Sequence, residues 1–312
     1  MRNESSAIAN RSVLVSGGIS GLAWGFVGVA AFSFTVPLTR IAVGGLSPLF
    51  IGAGRAVVAG VLASILLAVT RQKLPRGRQW LSIVIVAAGV VAGFPLLTSF
   101  ALTTAPASHG AVVIALLPAA TAVMAVIRTG ERPRRAFWIA AFLGAVAAIT
   151  FASLDKGGFG APTASDLLLF GAVVAAAVGY AEGGLLSRAL GAWQTISWAL
   201  VVALPVMVVL TAASVTQQPP AGTPGEWAAF SYLAVVSMFL GFFAWYRGLA
   251  IGPMTNVSQV QLVQPVLSLC WAALILGENL TPATLLGGGA VIACAAFAVR
   301  SRLQPRTLNR GH

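Results

Sequence analysis

Residues 80–102 read WLSIVIVAAGVVAGFPLLTSFAL, twenty-three residues without one charge. A helix of that length crosses a hydrocarbon core about 30 Å thick. The apolar residues run continuously instead of alternating, so the segment reads as a helix and not as a barrel strand. The same pattern recurs along the chain. Ten apolar runs follow one another, at about 17–39, 49–69, 80–102, 110–127, 136–153, 166–188, 194–213, 227–249, 257–276 and 282–299. Only 8% of residues are charged, against about 25% in an ordinary soluble domain. The sequence therefore predicts an all-α membrane protein with ten transmembrane helices. The longest interruptions, Asp155–Ser165 and Ser214–Glu226, are rich in Gly, Pro, Ser and Thr and too short to hold a core. The first run is too long for a signal-peptide core.

The net charge of +12 would suit nucleic acid, but its distribution excludes that reading. Counted over alternate connections, fifteen Lys and Arg fall on one side. They include Arg71, Lys73, Arg76 and Arg78, then Arg128, Arg132, Arg134 and Arg135, then Arg188 and the tail. The other side receives only Arg40 and Lys156. This bias places both termini in the cytoplasm and requires an even number of spans.

The runs also repeat. A shift of 147 residues lays Trp80 on Trp227, Pro106 on Pro253, Pro118 on Pro265, Gly130 on Gly277 and Glu131 on Glu278, without a gap. A shift of 148 lays Leu38-Thr39-Arg40 on Leu186-Ser187-Arg188. Shared hydrophobicity alone does not align Trp, Pro, Gly and Glu. The chain thus divides into five-helix units, 1–153 and 154–312. Five is odd, so the second unit is expected to run inverted. Inverted repeats place a substrate site near the midplane between the halves of many secondary transporters.

Ten helices as five plus five, an Arg inside span two (Gly54-Arg55-Ala56), a Pro in spans four and nine, and a Gly-Glu pair closing both (Gly130-Glu131, Gly277-Glu278) resemble the EamA-type drug/metabolite transporters. The resemblance covers about residues 15–300. It implies a bacterial inner-membrane exporter of amino acids or other small metabolites. It also implies a central cavity enclosed by helices one, three, four, six, eight and nine, with the other four peripheral. It does not fix the substrate.

Candidate working residues come from the polar and aromatic positions inside the spans. Gln261, Gln264 and Ser268 lie within about 60° on a helix and form a polar stripe beside Pro265. Their repeat counterparts are Ile114, Leu117 and Thr121, so one wall would be amide-lined and the other mostly apolar. Gln also serves as interhelical glue in membranes. Span eight carries Gly241, Trp245 and Tyr246, opposite Phe94, Thr98 and Ser99 of span three, and Trp24 and Tyr180 add aromatic surface. For each aromatic residue the competing role is packing or an interfacial belt. Pro118 and Pro265 are expected helix hinges.

Glu182 is an intramembrane carboxylate, which is a functional hypothesis by default. It is a candidate for proton coupling, for binding a cation, or for pairing with Arg188, although Arg188, six residues on, lies on another face of an ideal helix. Arg55 reads as a structural anchor whose stem snorkels.

Cys270 and Cys294 read as buried free thiols, with no ligand set for a metal and no cofactor motif. Gly18-Ile-Ser-Gly21 invites a serine-protease reading with His109. Topology places Ser20 and His109 at opposite ends of the bilayer, whereas proton transfer needs about 3 Å. No nucleotide-binding loop is present. The expectation is a non-enzymatic, secondary-type exporter of amino acids, aromatic or otherwise amphipathic, working by alternating access. The alternative is a multidrug or cationic-toxin exporter of the same fold. The expected partners are a small-molecule substrate and the lipid bilayer, not nucleic acid, and a homodimer stays open.

Overall fold

A computed structural model describes residues 20–130, 135–154, 163–251 and 260–303. The described residues form ten helices: α1 Ser20–Ala42, α2 Pro48–Val69, α3 Gln79–Ala101, α4 Ala107–Thr129, α5 Arg135–Leu154, α6 Ala164–Leu190, α7 Ala192–Gln217, α8 Pro224–Ile251, α9 Gln261–Leu276 and α10 Pro282–Leu303. Seven are long and apolar enough to cross a membrane, and α5, α9 and α10 are shorter apolar helices. Glu131 and Gln259 lie outside the described residues.

Local chemistry sets the helix ends. Thr223 and Glu226 form a reciprocal capping box, with Pro224 at the first turn, which satisfies two amides that have no helical partner. The helix therefore begins at Pro224, and α7 continues to Gln217. The loop expected at 214–226 shrinks to the few residues between them. Thr163 and Asp166 cap α6 in the same way. Gly130 and Gly277 close α4 and α9 in the left-handed conformation, at φ 70° and 64°, where a Cβ would be strained.

The outer surface is apolar. Trp138, Phe142 and Leu143 of α5, Val61 and Ile65 of α2, and Leu286 and Phe297 of α10 are exposed. Apolar surface this broad marks a lipid interface. Cys270 lies on this exposed surface and Cys294 is half-buried, both as free thiols. The expected burial fails for Cys270 because its face of α9 points away from the core.

Between helices, small residues allow close approach, since lipid removes the hydrophobic drive and leaves packing. A Cβ on Gly248 of α8 would lie 2.7 Å from the Gly25 nitrogen of α1, and one on Gly28 would lie 2.8 Å from the Trp245 nitrogen. A Cβ on Gly89 of α3 would reach to 2.3 Å from the carbonyl oxygen of Ala175 in α6.

The repeat is visible in the backbone. Helix α3 widens into a π-helical segment at Ala87–Gly93 and α8 does so at Leu233–Leu240, positions related by the 147-residue shift. Helix α4 breaks after Ile114 and restarts at Leu117, and α9 passes from a 3₁₀ turn at Gln261–Val263 into α-helix at Gln264. Pro118 and Pro265 each stand in the first turn after these breaks, where a missing N–H costs least. The repeat-related helices α2 and α7 pack together, as do α5 and α10.

Candidate central transport cavity

The two π segments bring residues of both halves to one small internal cavity of about 20 Å³, room for about one water molecule in this conformation. An extra residue per turn re-aims side chains, and such segments recur at functional sites. Val90 and Phe94 come from α3; Ser237, Met238 and Phe242 come from α8. Phe32 and Thr35 of α1, Ala176 and Tyr180 of α6, Gln264 of α9 and Arg55 of α2 complete the lining. Phe242 packs against Phe32 at 4.7 Å and against Tyr180 at 5.8 Å between ring centroids. Thr35 and Ser237 share a 2.8 Å hydroxyl–hydroxyl hydrogen bond across the α1–α8 contact.

Two polar groups in this lining lack partners among the described residues. Gln264 Oε1 accepts no hydrogen bond, and Arg55 Nε and Nη1 donate none. Arg55 is 1% exposed, so it does not snorkel. Arg55 is buried on α2 and is one of the residues lining the cavity. Burial corrects the expected snorkelling of its stem. Five of the six helices expected around a central cavity, α1, α3, α6, α8 and α9, contribute to this lining. Helix α2 contributes, whereas Ile114, Leu117 and Thr121 of α4 are absent from the lining. An isolated Arg on an apolar helix carries no sequence signal for which neighbour it faces.

The other candidates divide by position. Phe94, Tyr180 and Gln264 line the cavity. Trp245 and Tyr246 are fully buried behind it, with Trp245 6.1 Å from Tyr180 and Tyr246 5.5 Å from Phe242. Thr98 is buried and donates back to the Phe94 carbonyl at 2.7 Å. Ser268 donates to the Ser33 carbonyl of α1 at 2.8 Å, beside a bond from Trp271 Nε1 to Ser33 Oγ. Its one donor is thereby used on α1. Gln261 is buried with neither amide atom paired and does not line the cavity. Trp24 is 40% exposed and lies under the Arg247 guanidinium at 5.2 Å. The glycine face of α1 meets α8, which turns Trp24 outward and removes it from the cavity.

Glu182 is also away from the cavity. It receives Arg128 Nε at 2.6 Å, Arg128 Nη2 at 3.2 Å and Ser82 Oγ at 2.5 Å. Arg188 is exposed. The carboxylate therefore ties α3, α4 and α6 at the basic end of the molecule. At the opposite end, Glu278 accepts the backbone amides of Ala107 and Ser108 at 2.7 and 2.8 Å and so caps α4 with a negative charge. Arg40 donates to the Leu102 and Thr103 carbonyls at the end of α3. His109 Nε2 lies 2.7 Å from Asp166 Oδ1, within a buried pair that sequence reading did not anticipate. Asp166 stands three residues after Thr163, a capping-box signature that marks a helix start without naming a tertiary partner.

The comparisons agree with this architecture. The EamA-like transporter family matches residues 19–153 and again 163–300. The chain is 44% identical over 284 residues to the uncharacterized transporter YdeK of Bacillus subtilis, covering 88% of this chain and 96% of that one. It is 27% identical over 300 residues to a probable terminal-alkyne amino-acid exporter of Streptantibioticus cattleyicolor, covering 94% and 96%. A solved crystal structure shares the fold at a TM-score of 0.61 and 22% identity, covering 90% of this chain and 96% of that one. The chain is a multi-pass membrane transporter and belongs to the EamA-like transporter family.

Proposed function

We propose that this transporter exports small amphipathic amino acids across the bacterial cytoplasmic membrane by alternating access. The units 1–153 and 154–312 act as inverted halves around the central cavity, and both termini lie in the cytoplasm. The observation that carries the reading is the composition of that cavity. Four aromatic rings, from Phe32, Phe94, Tyr180 and Phe242, surround it together with a cation, an amide and a hydroxyl pair. Ligand sites are mostly apolar with a few convergent polar groups, and this mixture matches a molecule with a polar head and an apolar body. The relative named as an amino-acid exporter supports the substrate class. The charge bias of the connections supports the orientation.

Purified protein in proteoliposomes, offered a panel of labelled amino acids and cationic drugs, tests the substrate class. Uptake of drugs without amino acids would replace this reading with multidrug export, and chemical conversion of the substrate would reveal an enzyme. Orientation is tested with Arg76→Cys and Gln218→Cys on a background of Cys270→Ser and Cys294→Ser. An impermeant thiol reagent added to intact cells should label position 218 and spare position 76.

A further inference from the structure

We propose that Arg55 is the carboxylate anchor of the cavity, and that Gln264 Oε1 receives the ammonium group of the same zwitterionic substrate. This assignment rests on the central cavity as the transport site. Arg55 is fully buried, yet Nε and Nη1 have no partner. Among the described residues, no acidic side chain lines the cavity. The four described acidic residues are engaged elsewhere: Glu182 by Arg128 and Ser82, Asp166 by His109 and Thr163, Glu226 by the Thr223 amide, and Glu278 by the amides of Ala107 and Ser108. A buried guanidinium without a counter-charge is costly, and in a membrane protein it marks a substrate or ion path. An arriving carboxylate removes that cost, because guanidinium and carboxylate match in charge and planar geometry.

The rest of the lining fixes the substrate's other groups. Gln264 Oε1 is the unmet acceptor, suited to an N–H donor. The rings of Phe32, Phe94, Tyr180 and Phe242 receive the apolar side chain. The same arrangement selects against the alternative cargo. A lipophilic cation would enter a low-dielectric site already holding an unpaired positive charge, and like charges repel strongly there. Arg55 also breaks the repeat, since Ala203 holds the corresponding place in α7 under the 148-residue shift. One carboxylate anchor, not two, therefore serves the shared cavity.

Binding to the full chain tests the assignment with three probes: L-phenylalanine, L-phenylalaninamide, which lacks the carboxylate, and N-acetyl-L-phenylalanine, which lacks the ammonium. L-Phenylalaninamide should bind about ten- to a hundredfold more weakly than L-phenylalanine, the scale of a charge-assisted bond. N-Acetyl-L-phenylalanine should remain Arg55-dependent. Arg55→Gln should erase the difference between acid and amide, and its ligand-free melting temperature should equal or exceed that of the natural protein. Equal binding of acid and amide would overturn the anchor while leaving amino-acid export standing. Dependence on Arg55 for N-acetyl-L-phenylalanine, with no transport of free amino acids, would keep the anchor and remove amino-acid export. A lowered ligand-free melting temperature in Arg55→Gln, or no stabilisation of the natural protein by either carboxylate, would make Arg55 structural and end the proposal.

Discussion

Phe32 and Tyr180 stack their rings in the wall of the central cavity, with centroids 6.4 Å apart and planes inclined by 29°. They are also the same position of the two repeats under the 148-residue shift. The pair joins α1 to α6 across the cavity wall, one ring from each repeat.

Phe32→Ala should weaken binding of aromatic amino acids while sparing small ones. The substitution removes one ring of the apolar lining and opens the contact with Phe242. Phe-to-Ala changes in packed cores cost about 3–5 kcal/mol, and a residue bordering a cavity should fall at the low end. Competition binding with phenylalanine and alanine, alongside a melting curve, separates selectivity from stability. Equal losses for both ligands would assign Phe32 to packing alone.

Glu182→Gln should lower the melting temperature and leave the response of transport to an imposed pH gradient intact. The carboxylate is held by Arg128 and Ser82, and hydrogen bonds to a charged group contribute about 1.5–3 kcal/mol. Arg128 is 57% exposed, so water takes part of its charge and the loss should lie toward the lower value. A mutant that keeps its stability but no longer responds to the gradient would make Glu182 the proton-coupling residue.

The two glutamines of α9 should differ. Gln264→Leu removes a cavity acceptor and should weaken amino-acid binding by about 1–2 kcal/mol. Gln261→Leu replaces a buried amide with no partner by an apolar side chain of similar size, and should raise the melting temperature with little change in binding. If both weaken binding alike, the 3₁₀ turn at Gln261–Val263 rearranges when substrate arrives.

Gly89→Ala should abolish folded protein. The added methyl would meet the Ala175 carbonyl at 2.3 Å, a backbone atom that cannot step aside. The control is Gly289→Ala, where nothing lies within 4 Å of the new atom. Monodisperse yield in detergent is the measurement. Normal yield of Gly89→Ala would show that α3 and α6 can separate at the π segment without loss of the fold.

The length of the apolar runs, the alternation of basic connections and the recurrence of Trp, Pro, Gly and Glu determined the helices, their number and the duplication. These are properties of single segments in a fixed solvent. A bilayer obliges each segment to satisfy its own backbone, so local sequence suffices. Pro118 and Pro265 stand in the first turn after the breaks in α4 and α9, where a residue without an N–H is tolerated. Tyr180, Phe94 and Gln264 could be proposed for the cavity because polar and aromatic side chains are conspicuous in apolar runs. What each face meets was decided only in three dimensions. Trp24 and Tyr180 look alike in sequence, yet the glycine contact of α1 with α8 turns one outward while α6 turns the other inward. Ser268 is spent on Ser33 and Glu182 on Arg128, partners 235 and 54 residues away in sequence. Arg55 gave no sign of its surroundings, because the same charge on an apolar helix snorkels at the surface or lies buried inside, as here. Tertiary packing alone sets which, by fixing the rotation of α2 about its axis.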